Sequence, residues 1–146
     1  MDKLDKLINR LQDFESEILW TIRTTMQENV STLLDMNIQD QLYNKGITRE
    51  DIKISSYAPY AESTIRIKKM KGQPTARVTL RDEQDFHNSF YTEFRDDEME
   101  IKALDWKSDF LEFQYGSEIF GLTDQNRDDL ARDYISPELE TLFETL

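Results

Sequence analysis

The hydrophobic pattern of this chain predicts an α+β fold: a long N-terminal helix, an antiparallel β-meander of about four strands, and C-terminal helices. Three observations carry that expectation. An apolar stripe recurs at spacings of three and four over residues 3–34, the pattern changes to period two near residue 76, and capping signals return from residue 123. A single domain over 1–146 is expected, divided into a helical part (1–45), a basic arm (46–75), the meander (76–115) and a helical closure (123–146).

The N-terminal stripe is Leu4, Leu7, Ile8, Leu11, Phe14, Ile18, Ile22, Met26, Val30 and Leu33, one side of a helix with no proline or glycine before Gly46. Such a helix reaches on the order of 45 Å at ~1.5 Å per residue, longer than a domain of this size needs. Thr24 and Thr25, or Ser31, are candidate breaks, because their hydroxyls compete for backbone hydrogen bonds. Asn44-Lys45-Gly46 is the expected stop, with Gly46 free to turn left-handed.

Ser55, Ser56, Pro59 and Gly72-Gln73-Pro74 punctuate the arm, which has room for a short helix over Glu62–Met70. Period-two alternation then places strands at 76–80, 90–94, 98–104 and 111–115, one face buried, and the sheet is expected to pack on the N-terminal helix. Gly121 is expected in a tight turn that feeds a helix capped by Thr123, with Asp124 favourable to the helix dipole. Leu130, Tyr134 and Ile135 form the apolar side of that helix. Ser136-Pro137 restarts a second one, whose apolar edge is Leu139, Leu142, Phe143 and Leu146.

The 146 residues carry a net charge of −12, with 33% charged and 38% hydrophobic side chains. The charge is segregated. Residues 1–42 hold 4 basic and 8 acidic groups, residues 43–81 hold 9 and 3, and residues 82–146 hold 5 and 19. Segregation of this kind suits head-to-tail association, one copy's basic segment meeting another's acidic one, or a basic segment paired with its own acidic half. No stretch is apolar enough for a transmembrane helix, no secretory signal is visible, and the absence of cysteine fits a reducing cytoplasm.

No catalytic set is expected. His87 is the single histidine; Asp85 and Ser89 flank it, but i, i+2 and i+4 positions form no relay on a strand and diverge on a helix, so His87 reads as a loop or interface polar residue. The carboxylates Asp82, Glu83, Asp85 and Asp96, Asp97, Glu98 do not follow a calcium-loop pattern and read as solvated turns. No phosphate-cradling glycine loop exists, and no metal or cofactor is implied. The basic run Arg66, Lys68, Lys69 and Lys71 is a candidate partner surface, although the net acidity opposes gripping nucleic acid. Among the aromatics, Tyr115 and Phe120 are expected in the core and Trp106 in an exposed, contact-making loop.

Tyr57-Ala-Pro-Tyr60, Ser63-Thr64-Ile65 and Lys68, then Leu80, Asp82, Phe86 and Ser89, then Tyr115-Gly116 and Ile119 to Thr123, follow one another in an order that resembles that of the head–tail joining and tail-completion proteins of tailed bacteriophages. Tyr57-Ala-Pro-Tyr60 with Ser63-Thr64-Ile65 and Lys68 is similar to their "proline, then Thr-Ile/Leu, then Lys" stretch. Leu80, Asp82, Asp85, Phe86, Ser89 and Phe90 fit their Leu-x-Asp-Thr-Gly-x-Leu/Phe-x-x-Ser segment, with Glu83 and Gln84 in place of Thr-Gly. Tyr115-Gly116 and Ile119-Phe120-Gly121-Leu122-Thr123 are similar to the strand end and helix start that follow. The resemblance covers residues from 57 onward. It implies a virion structural protein, assembled in the host bacterial cytoplasm as a hexameric or dodecameric ring. Neighbouring connector and tail proteins would be its partners, and DNA would pass through without specific binding. Two other classes stand beside it: an acidic interaction protein that mimics nucleic acid to inhibit a DNA-binding enzyme, and a metal-dependent hydrolase using the carboxylates near His87.

Overall fold

The computed structural model describes residues 2–145; Met1 and Leu146 lie outside them, and with Leu146 one residue of the expected closing edge. Helix α1 (Lys3–Glu28) begins with a complete capping box: the Asp2 carboxylate accepts the Asp5 N–H at 2.8 Å and the Asp5 carboxylate accepts the Asp2 N–H at 3.4 Å. The break falls at Asn29, between the two sites expected for it, where the Asn29 amide turns back to the Thr25 carbonyl at 2.8 Å. Helix α2 (Val30–Asp35) follows and runs into a ten-residue π-helix, Met36–Lys45. Gly46 ends it at φ 63°, ψ 41°, the left-handed conformation expected there.

The arm contains helix α3 (Glu62–Met70), as its sequence predicts, and the one-turn helix α4 (Asp85–Asn88) follows. The sheet is smaller than expected. Among the described residues the one sheet is formed by β1 (Phe90–Arg95) and β2 (Glu98–Ala103), in antiparallel register from Phe90↔Ala103 to Arg95↔Glu98. Phe90, Thr92 and Phe94 share a face with Ala103, Ile101 and Met99, the period-two alternation of the sequence. On the other face Glu93 and Glu100 stand opposite each other, and Lys102 bridges them at 2.6 and 3.4 Å.

The other two expected strands fail for separate reasons. Residues 76–80 form no strand: the chain bends at Ala76 and Arg77, the Thr79 N–H goes to the Tyr60 hydroxyl at 3.0 Å, and Leu80 turns to φ 56°. Residues 111–115 belong to helix α5 (Ser108–Tyr115). Asp105 starts this helix, its carboxylate accepting the Lys107 N–H and its carbonyl the Ser108 N–H, both at 2.9 Å. Ser108, Leu111 and Tyr115 then face inward at helical spacing, so Phe113 points out rather than joining them. Period-two and period-3.6 readings share residues 111 and 115, and the turn at Asp105 decides between them.

Helix α6 (Asp124–Leu130) passes through a π-turn (Ala131–Ile135) into α7 (Ser136–Glu144). Thr123 is the N-cap of α6, its hydroxyl accepting the Asn126 N–H at 3.2 Å. The core gathers Leu33, Leu42, Ile54, Val78, Ile101, Ile119 and Leu130 around Phe86, Phe90 and Phe120. Phe86 meets Phe90 edge-on at 5.0 Å and Phe90 meets Phe120 at 5.3 Å, pairs worth about 0.5–1.5 kcal/mol each beyond area burial. Strand β1 packs on α2, whereas α1 runs past the sheet and pairs with α7, Phe14 against Phe143 at 5.6 Å.

Candidate interaction surfaces

The site is read from what the fold uses up and what it leaves uncovered. Most used is the strand-like run 119–123. Asn37 and Gln41, four apart on the π-helix and fully buried, act on it as a substitute strand edge. The Asn37 amide donates to the Ile119 carbonyl at 3.0 Å, and its oxygen accepts the Gly121 N–H at 2.9 Å. Gln41 repeats the pattern two residues on, with the Gly121 carbonyl and the Thr123 N–H, both at 2.9 Å. The Asn126 amide adds a bond to the Gln41 oxygen at 2.8 Å. Gly121, at φ 117°, cannot be replaced cheaply, since a Cβ there would sit 2.9 Å from Arg49 Cδ.

The basic arm is also mostly used internally. Arg49 donates to the Phe120 carbonyl at 3.2 Å and Arg77 to the Tyr43 carbonyl at 2.6 Å, while the Arg81 guanidinium lies 4.4 Å from the Tyr43 ring centre. Lys68 is only 7% exposed, donates to the Arg81 carbonyl at 2.7 Å and sits over the Tyr60 ring, so it is not part of an outer surface. Lys71 pairs with Asp82 at 2.6 Å; this hydrogen bond holds the Asp82 carboxyl below its ordinary range. Arg66 and Lys69 remain exposed.

The remaining motif residues are structural. Phe86 is core, and the Ser89 hydroxyl donates to the Phe86 carbonyl at 2.8 Å. Tyr115 and Phe120 are buried as expected, and Gly116 closes α5 at φ 89°. His87, read from sequence as a loop or interface residue, is a core histidine. Its Nε2 lies 2.9 Å from the Thr79 carbonyl, which can only accept, so Nε2 carries the proton and the buried Nδ1 has no partner. Burial, more than any other cause, lowers its pKa to about 4. Among the described residues neither Asp85 nor Ser89 forms a hydrogen bond with its ring, and no group of three or more His, Asp or Glu side chains could hold a metal ion.

Several large apolar side chains stay exposed among the described residues, Trp20, Ile67, Met70 and Leu104 among them, and two rows of three stand out. The first is the start of α1: residues 2–13 are exposed throughout, with Leu4, Leu7 and Leu11 at 62%, 53% and 60%. Their capping box keeps these turns helical without packing. The second is the outer edge of α5 and the turn leading to it, where Trp106, Phe110 and Phe113 are 84%, 63% and 91% exposed. Trp106 is exposed, as its loop position predicts; the exposure of Phe113 was hidden by the strand reading, which turns it inward. Contiguous apolar faces of this kind mark interaction sites rather than ordinary surface. No helix of the described residues is long and apolar enough to cross a membrane. Comparisons with protein-family models, curated proteins and solved structures returned no match.

Proposed function

We propose that this chain is a virion structural protein of the head–tail connector or tail-completion type, and that its activity is assembly into a ring around the DNA channel. The observation that carries this reading is the pair of uncovered apolar faces on a domain whose interior is otherwise well satisfied. A chain with one such face suits a single partner; a chain with two different faces suits a closed series of identical subunits.

A second feature supports the resemblance on which the phage assignment rests. Gln84 stands where the phage segment has glycine, and it adopts φ 72°, ψ −2°, the left-handed turn that glycine takes at no steric cost. The acidic surface also suits a channel that must not hold DNA by its phosphates. An inhibitor mimicking nucleic acid would need free carboxylates in a regular strip. In the C-terminal segment Asp129 and Asp133 instead both pair with Arg132, at 3.1 and 2.9 Å.

The test is the composition of purified particles. Presence at hexameric or dodecameric stoichiometry is expected. Absence from the particle, with intact heads and tails made without the protein, would overturn the reading and favour the acidic inhibitor.

A further inference from the structure

We propose that the first three turns of α1 dock antiparallel on the aromatic edge of α5 in a second copy of this chain. The proposal rests on the ring reading only for closure of the series; the contact itself follows from two sequence rows that the fold leaves exposed.

Along α1 the apolar row is Leu4, Leu7, Leu11, spaced three then four. Along α5 and its leading turn the row is Trp106, Phe110, Phe113, spaced four then three. The two spacings come into register when the helices run in opposite directions, Leu11 toward Trp106 and Leu4 toward Phe113. Each apolar residue is preceded by a charged one, and the signs are opposite: Lys3, Lys6 and Arg10 on α1, Asp105, Asp109 and Glu112 beside α5. In an antiparallel helix pair the flank preceding the apolar row on one helix faces the same flank on the other, so cations meet carboxylates. The same orientation sets the N-terminal end of α1 near the C-terminal end of α5, which helix dipoles favour.

Apart from Asp105, whose carboxylate starts α5, these charges are otherwise unclaimed. Among the described residues none of Lys3, Lys6, Arg10, Asp109 or Glu112 takes part in an ion pair. Pairing α1 antiparallel with α1 of a second copy would instead set basic flank against basic flank. The apolar row is also continuous with an existing contact, since it runs on through Phe14, which α7 already covers through Phe143. Each copy therefore offers one helix and receives another through different residues. That is a heterologous junction, which generates a ring when the rotation closes.

The test uses two charge-reversed chains, Lys3→Glu/Lys6→Glu/Arg10→Glu and Asp109→Lys/Glu112→Lys; Asp105 is left intact because its carboxylate starts α5. All five positions are exposed, and circular dichroism checks that both chains fold. Each chain alone is expected to associate about tenfold more weakly than the parent, and an equimolar mixture to recover, because each reversed face then meets its complement. Trp106, made the single tryptophan by Trp20→Phe, reports burial as a blue shift in the parent and the mixture but in neither variant alone. Since the chain has no cysteine, Leu7→Cys/Phe110→Cys adds a covalent readout: oxidation is expected to give a ladder of multimers.

Failure of the mixture to recover, a parent that stays monomeric at its highest soluble concentration, or dimers from Leu7→Cys alone would each overturn the proposal. Recovery in the mixture with no protein in the particle would leave the junction standing and defeat the virion reading. Ring stoichiometry in the particle without recovery would do the reverse.

Discussion

Residues 119–123 and residues 3–13 both carry apolar side chains in a short run, and the fold treats them in opposite ways. The first is buried, with backbone groups answered by Asn37, Gln41 and Arg49. The second is a helix that closes its own N-terminus and leaves Leu4, Leu7 and Leu11 more than half exposed. The difference separates two properties of the molecule. Substitutions along 119–123 and its partners should move stability; substitutions along 3–13 should move association and leave stability almost unchanged.

The largest effect is expected at Gln41. Gln41→Leu fits the space but leaves the Gly121 carbonyl, the Thr123 N–H and the Asn126 amide short of a partner in the interior. With a cost of about 1–3 kcal/mol per buried unsatisfied group, a loss of about 4 kcal/mol is expected in denaturant melts. A loss under about 1 kcal/mol would mean that this segment does not hold the fold together.

Acid comes next, through His87. Its pKa is near 4 in the folded chain and near 6.5 when unfolded, so between those values the unfolded state binds the extra proton. Stability is therefore complete above about pH 6.5 and falls as pH drops toward 4, by about 3 kcal/mol. His87→Gln keeps a donor for the Thr79 carbonyl and should flatten that part of the pH profile. An equally steep profile in the variant would place the acid sensitivity elsewhere.

Smaller again is the cap of α6. Thr123→Ala removes the hydroxyl that accepts the Asn126 N–H and should cost about 1 kcal/mol in a thermal melt. No change in melting would mean that the buried amides alone position the start of this helix.

The sequence was most legible where one period ran unopposed. The stripe of α1, the β1–β2 pair, Gly46 as a stop and Thr123 as a cap all follow from spacing and local chemistry. It was least legible where a residue's role depends on a distant partner. Asn37 and Gln41 look like ordinary polar positions on a helix until their partners in residues 119–123 arrive beside them, 80 or more positions later. Lys68 looks solvated until the Arg81 carbonyl and the Tyr60 ring enclose it. For α5 the local signal was ambiguous, and the reading that buried Phe113 concealed half of the candidate surface. Two amides four apart within an otherwise apolar helix face were the one available sign of the buried ladder.

Deletion of residues 2–11 tests the separation of stability from association most directly, by sedimentation velocity of the shortened and full-length chains at matched concentration. The account predicts a compact, folded monomer from the shortened chain where the full-length chain associates. A shortened chain that sediments as an expanded, unfolded species, or that associates as the full-length chain does, would contradict it.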